Sequence, residues 1–450
     1  MRLEKTIEDI MKKNKMVIGF DFDDEFSQIS FCRVNQSVPD TLSLIAGQEA
    51  YQIPTMVCCK QPEGATQEHS VAWSIGREAQ EAQQNKEGAC VVRLLQLVRS
   101  KEKVTVGTRK YTTQEILEIF IRKCLLLVMP SGKLDEIAAI SFTLQETDTV
   151  IMDILRKAVL HICGKQTESY FMSRQDCFFQ YMIHQPEEMW VHDVLMYDFG
   201  KEEVACYYMH MNRRSRPVAT FIETKQCTEM NMTDLSCVLD VQKKQIYEQM
   251  DAAFLKMNEA LCDGKLITSV FLLGESFSKE WCKESLRFLC RGRRVFQGNN
   301  LFSKGACYGA RERVMPSALT QGFIYLSNEK LKANIGMMCN KAQEEVYVPL
   351  LSAGMNWYEV QKEMDFILAK DNKLELTITP LNGAAPKLAE ITLEGFEVRG
   401  NRTNRITMFM NMLDADTISM EIRDKGFGDF FPSTGQVWRE EIFLGSMDVS

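Results

Sequence analysis

Two short acidic turns hold the residues best suited to chemistry. One is Asp23-Asp24-Glu25, which opens two residues after Asp21; the other is Gly200-Lys201-Glu202-Glu203, which opens two residues after Asp198. Grouped carboxylates offer hard oxygen ligands to a divalent cation. If the two turns face each other, Asp23, Asp24, Glu202 and Glu203 form a candidate metal set. The plainer role for Asp21 and Asp198 is to cap their turns by accepting backbone N–H groups, and each of these carboxylates equally suits a solvated surface. Other chemistry finds little support. The five histidines form no H-E-x-x-H, and the 15 cysteines contain no C-x-x-C, which argues against a zinc protease, a zinc ribbon or a thioredoxin-type motif.

The elements that would carry these turns read clearly. Met16–Phe22 and Ser27–Val34 are strands around the first turn; Val191–Phe199 and Val204–Met209 are strands around the second. Gln114–Val128, Thr149–His161, Gln242–Leu261 and Lys279–Leu289 have helical periodicity, and a further helix starts over Gly305–Arg313. Ile137–Phe142 and Thr268–Leu273 are short apolar runs of the kind buried parallel strands show. Residues 1–15 form an amphipathic helix without the continuous apolar core of a signal peptide. Beyond about residue 335 cysteine and histidine disappear after Cys339, and period-2 segments alternate with turns, the pattern of an all-β module. The expected division is a helical extension over 1–15, an α/β domain over 16–335 and a β-sandwich over 340–450.

Composition narrows the function. The 450 residues are 45% hydrophobic and 25% charged, as in an ordinary folded protein. A net charge of −8 gives no basic footprint for nucleic acid. The clusters Arg213-Arg214-Ser215-Arg216 and Arg291-Gly292-Arg293-Arg294 lack interleaved aromatics. Apolar runs fall far short of a bilayer span. The many unpaired thiols fit a reducing cytosol. We therefore expect a cytoplasmic protein that binds neither nucleic acid nor membrane.

The order of these elements resembles the Hsp70 family, within the actin-like ATPase superfold. Val17-Ile18-Gly19-Phe20-Asp21-Phe22 is similar to the family's first phosphate hairpin, and Val194-Leu195-Met196-Tyr197-Asp198-Phe199-Gly200 to its second. Val91-Val92-Arg93-Leu94-Leu95 resembles the segment of the catalytic lysine, with Arg93 at the lysine's place. Val270-Phe271-Leu272-Leu273-Gly274 and Gly305-Ala306-Cys307-Tyr308-Gly309-Ala310 resemble the adenosine segment. Leu413–Gly426 is similar to the end of the substrate-binding β-sandwich and is the most specific match. The resemblance implies a two-lobed actin-like α/β domain with a reduced second lobe, then a β-sandwich. It places Asp21, Arg93, Asp198, Gly200, Gly274 and Gly309 in a nucleotide pocket that would take ATP or ADP with magnesium.

The departures from the family pattern set the functional expectation. Glycines and hydroxyls that would admit phosphate at the hairpin turns are replaced by five carboxylates, with Gly200 the survivor. Like charges 4 Å apart cost about 4 kcal/mol per pair at an effective dielectric of about 20. The region of the family's catalytic glutamate holds Arg174, which stays protonated and cannot act as a base. The expectation is a degenerate Hsp70-like protein that binds a polypeptide or protein partner without hydrolysing nucleotide. Two alternatives stand beside it: an ATP-hydrolysing chaperone with atypical site residues, and a scaffold subunit of a protein assembly.

Overall fold

Val17–Phe20 are four consecutive buried residues in the strand Met16–Phe22, as a strand covered on both faces requires. In the computed structural model this strand is central to a sheet. It pairs antiparallel with Phe26–Arg33 and parallel with Ile137–Thr143, which pairs parallel with Glu168–Met172. The structure describes residues 14–60, 72–106, 109–145, 148–200, 203–213, 217–227, 240–327, 329–341, 344–368, 372–381, 385–396 and 403–444. The expected helix over 1–15 therefore lies almost wholly outside the described residues. The chain divides into two units, Met1–Phe323 and Ile324–Ser450.

Within the first unit the wiring occurs twice. Asp193–Phe199 pairs antiparallel with Val204–Asn212 and parallel with Ile267–Leu273, which pairs parallel with Arg294–Gln297. The two leading strands even share one burial order: four buried residues, then a half-buried aspartate, then a fully buried phenylalanine. Asp21-Phe22 and Asp198-Phe199 are thus equivalent positions. In each half a helix crosses between the parallel strands, Thr149–Cys163 in the first and Lys283–Leu289 in the second.

The two halves exchange their last helices. Arg174–Ile183 follows the last strand of the first sheet but packs on the second, with Phe178 against Tyr207 and Tyr181 against Phe271. Leu301–Val314 follows the second sheet but lies on the first, where Ser303 Oγ meets Ser30 Oγ at 2.8 Å and Cys307 Sγ meets Cys32 Sγ at 3.7 Å. Close approach here needs small residues. A Cβ on Gly19 would fall 2.1 Å from the Ser303 carbonyl oxygen, and one on Gly305 would fall 2.1 Å from that of Cys177.

A smaller sheet joins Met56–Lys60 to Ala72–Ile75 and Ala89–Val92, and on it Cys58 and Cys90 form a disulfide. The expectation of thiols throughout is corrected at this pair: the two cysteines are cross-strand neighbours in register, which brings their sulfurs together. The other described cysteines are free, and most are buried. Among the described residues no helix is long and apolar enough to cross a membrane.

The second unit stacks two antiparallel sheets. One runs Glu344–Leu351, Ala333–Lys341, Lys373–Pro380, Lys387–Thr392; the other runs Gln361–Leu368, Asn404–Met412, Thr417–Asp424, Val437–Phe443. Met408, Met410 and Met412 alternate into the core, opposite Ile418, Met420 and Ile422. The division falls ahead of residue 335, where composition changes. The first sandwich strand, Ala333–Lys341, still carries Cys339, so loss of cysteine lags the start of the unit.

Candidate functional site

Helix exchange decides what stands between the two hairpins. Arg174–Ile183 begins with a capping box: Ser173 Oγ accepts from Asp176 N at 3.1 Å, and Asp176 Oδ2 accepts from Ser173 N at 3.0 Å. Arg174 is therefore fixed as the first helical residue. A cation there opposes the helix dipole by about 0.3–1 kcal/mol, so something else must hold it. Arg174 Nη1 donates to Asp198 Oδ2 at 2.7 Å, and Nη2 donates to Asp23 Oδ2 at 3.3 Å. Its guanidinium lies over the Phe302 ring, 5.0 Å from the centroid. One arginine thus spans both hairpins, and its side chain is 20% exposed.

Around this bridge lies a cleft of about 520 Å³ whose walls include Asp21, Glu25, Glu203 and Glu275, with Phe26, Phe302 and Tyr207 as the aromatic part. Burial pushes the Asp21 carboxyl up to about 7; Arg174 pulls it down, while Asp23 and Asp198 add to the rise. The Tyr207 hydroxyl is likewise pushed up by burial, to about 12, against the pull of Arg174. Arg174 itself is held well above its ordinary value: burial lowers it, but the attraction of Asp198 and Asp21 prevails. Two buried polar atoms on these walls have no hydrogen-bond partner among the described residues, Gln28 Oε1 and Arg174 Nε.

The positions expected from the sequence divide into two sets. Asp21, Asp198, Gly200 and Gly274 line the cleft together. Gly274 has φ +98°, and a Cβ there would fall 2.1 Å from the Phe199 carbonyl oxygen, so its glycine serves the strand exit. Gly309 lies away from the cleft, in the middle of Leu301–Val314, where a Cβ would meet Met172 Sδ at 2.3 Å. Arg93 is exposed at the start of helix Leu94–Ser100 with φ 53°, and does not line the cleft. The resemblance placed Arg93 in this pocket; Arg174 is the cation found there, because the exchanged helix delivers it between the two hairpins.

The described members of the expected metal set, Asp23, Asp24 and Glu203, do not converge. Asp24 turns away, its Oδ1 accepting from Leu95 N at 2.8 Å and Gln96 N at 3.2 Å, and so caps a distant helix. Asp23 serves Arg174. Glu202 and Lys201 lie outside the described residues, and Glu203 is exposed on the cleft wall. Among the described residues no group of three or more His, Cys, Asp or Glu could hold a metal ion. Carboxylates line the cleft, and Asp23 and Asp198 already engage Arg174, so its walls repel a polyanion. The signals that would have found Arg174 were Ser173-x-x-Asp176, a capping box visible in the sequence, and an arginine just inside it.

Comparison with known proteins agrees with the two-unit division of the chain. A domain of unknown function (DUF8552) matches residues 330–444. No curated protein matches the chain. The family of unknown function (DUF5716) C-terminal matches residues 38–328, more than half of the sequence, and the chain belongs to that family.

Proposed function

We propose that this protein is a non-catalytic, Hsp70-like member of the actin-like superfold, with a degenerate nucleotide pocket, that binds a polypeptide partner. The observation that carries the reading is the Arg174 bridge between Asp23 and Asp198. It supplies an internal cation where a nucleotide enzyme would need a metal-bound phosphate, in a cleft that otherwise repels phosphate. The duplicated sheet wiring and the exchanged helices support the actin-like assignment; the two stacked sheets after it support the substrate-domain assignment. This step rests on fold analogy.

The partner surface we favour is the outer face of the sheet that contains Asn404–Met412. A groove of about 570 Å³ runs there past Phe409, Glu421, Arg423 and Arg439, with Arg423 stacked over Phe409 at 5.0 Å. An aromatic ringed by both charges suits an extended polypeptide. Most described cysteines are free and buried, as suits a reducing cytoplasm, and the Cys58–Cys90 disulfide is the feature that runs against it.

Thermal denaturation with magnesium and ATP tests the pocket. A ligand at 100 times its Kd would add about 2.7 kcal/mol by mass action; no shift is expected at millimolar ATP. Stabilisation by several degrees, with phosphate release lost in Asp198→Asn, would replace this reading with an ATP-hydrolysing chaperone. Capture of a chemically unfolded polypeptide by the full chain, weakened by Phe409→Ala, tests the partner surface.

A further inference from the structure

We propose that the cleft between the hairpins binds a small aliphatic polyamine. Within the cleft walls Glu203 and Glu275 add negative charge to the Asp23–Arg174–Asp198 bridge, whose two carboxylates already outnumber its one guanidinium, and neither makes an ion pair among the described residues. An anion is therefore excluded from this space and a cation is favoured. Carboxylates alone would not define a site; Gln28 supplies the second observation. Its side chain lines the cleft, it is only 7% exposed, and its Oε1 is enclosed with no hydrogen-bond partner among the described residues. It lies directly across the strand pair from Asp21. A buried amide oxygen without a donor is costly, and the terminal torsion of glutamine is soft enough to turn that oxygen to an incoming group. An ammonium N–H satisfies it.

Ligand shape follows from the remaining walls. The cleft's volume, about 520 Å³, lies in the range of small-molecule pockets, roughly 300–1,000 Å³. Phe26 and Phe302 offer apolar surface, and Arg174 already seats a cation over Phe302. Methylene spacers pack on such rings while the terminal ammonium groups meet Glu203 and Glu275 at one end and Asp21 and Gln28 at the other. A divalent metal is the poorer occupant, because no three described carboxylates converge. The inference shares the acidic cleft with the preceding reading, but the two fail separately: ATP binding would sink that one and leave polyamine binding to be decided by its own titration.

The test is calorimetric titration of the full chain with spermidine at about 0.15 M salt, where weak surface attraction to the net charge is screened. One saturable site is expected. Glu203→Gln with Glu275→Gln should weaken it at least tenfold. The pair Glu248→Gln and Glu280→Gln, both exposed and outside the cleft, changes net charge equally and should leave it within twofold. Gln28→Leu should weaken binding without lowering the melting temperature, because it removes an enclosed polar atom that has no partner. No saturable heat, equal losses in the two double variants, or full displacement of spermidine by equimolar magnesium would each overturn the proposal.

Discussion

Arg174 and Asp198 meet at 2.7 Å although they belong to opposite halves of the first unit, one at the head of an exchanged helix and the other in a hairpin strand. The contact ties the second hairpin to a helix that starts in the first half. Removing one partner of a largely buried pair leaves an uncompensated charge.

Arg174→Ala should therefore destabilise the first unit by about 3 kcal/mol, at the low end for broken buried pairs because the arginine and Asp23 are partly exposed. Arg174→Lys should recover part of this, since it keeps the charge but loses the fork that reaches both carboxylates. A double-mutant cycle with Asp198→Asn measures the coupling; additive losses would show that the two side chains stand independently.

Asp21 sets a pH dependence of definite sign. Its folded-state carboxyl titrates at about 7 against an ordinary 3.8, so the folded protein binds the proton more tightly than the unfolded chain. Its contribution is full below about pH 4 and is lost as pH rises through 7. Asp21→Asn should raise the melting temperature at pH 8, leave it unchanged at pH 4, and flatten the slope between; parallel curves for both proteins would refute the assignment.

Glu312 acts in the opposite sense. Burial works to raise its carboxyl, but hydrogen bonds from His184, Ser317 and Thr320 outweigh it and hold the value at about 2. His184 Nε2 stands 3.2 Å from Glu312 Oε1, and Ser317 N and Thr320 Oγ1 donate to Oε2 at 2.8 and 2.9 Å. The stability it supplies is present above 4.5 and disappears as pH falls through 2. Glu312→Ala should cost about 3 kcal/mol at pH 7, because it strands several buried donors. Urea denaturation at pH 7 and pH 2.5 would measure both, and the loss should shrink at the lower pH.

The Cys58–Cys90 disulfide closes a separation of 32 residues. Loop closure predicts about 3–4 kcal/mol of stabilisation. Dithiothreitol should lower the melting temperature of the native chain and leave that of Cys58→Ser with Cys90→Ser unchanged. Equal melting curves with and without reductant in the native chain would show that the bridge adds nothing.

Local pattern accounts for most of what was readable in the sequence. Thr149–Cys163, Ile137–Thr143 and Asp193–Phe199 all fall within two residues of their expected bounds, because each is long, strongly periodic or bounded by turn residues. The helix Arg174–Ile183 and the strands Glu168–Met172 and Val218–Cys227 had no such signature and were not anticipated. The site suffered most from this. Arg93 and Gly309 were placed by resemblance to short family segments, whereas membership of the cleft is set by the exchange of helices, which no local window contains. Arg174 was noticed as a missing base; its role as a bridge depends on a partner 24 residues away on another sheet.

The traded helices also bear on how the first unit can be divided. A fragment ending near residue 190 would keep Gly19 and Ser30 but lose the segment that shields them, while Phe178 and Tyr181 would project without a surface to rest on. Each half is the other's lid, so the pair must mature together, and neither half can be shed, swapped or expressed alone without baring a greasy sheet to water.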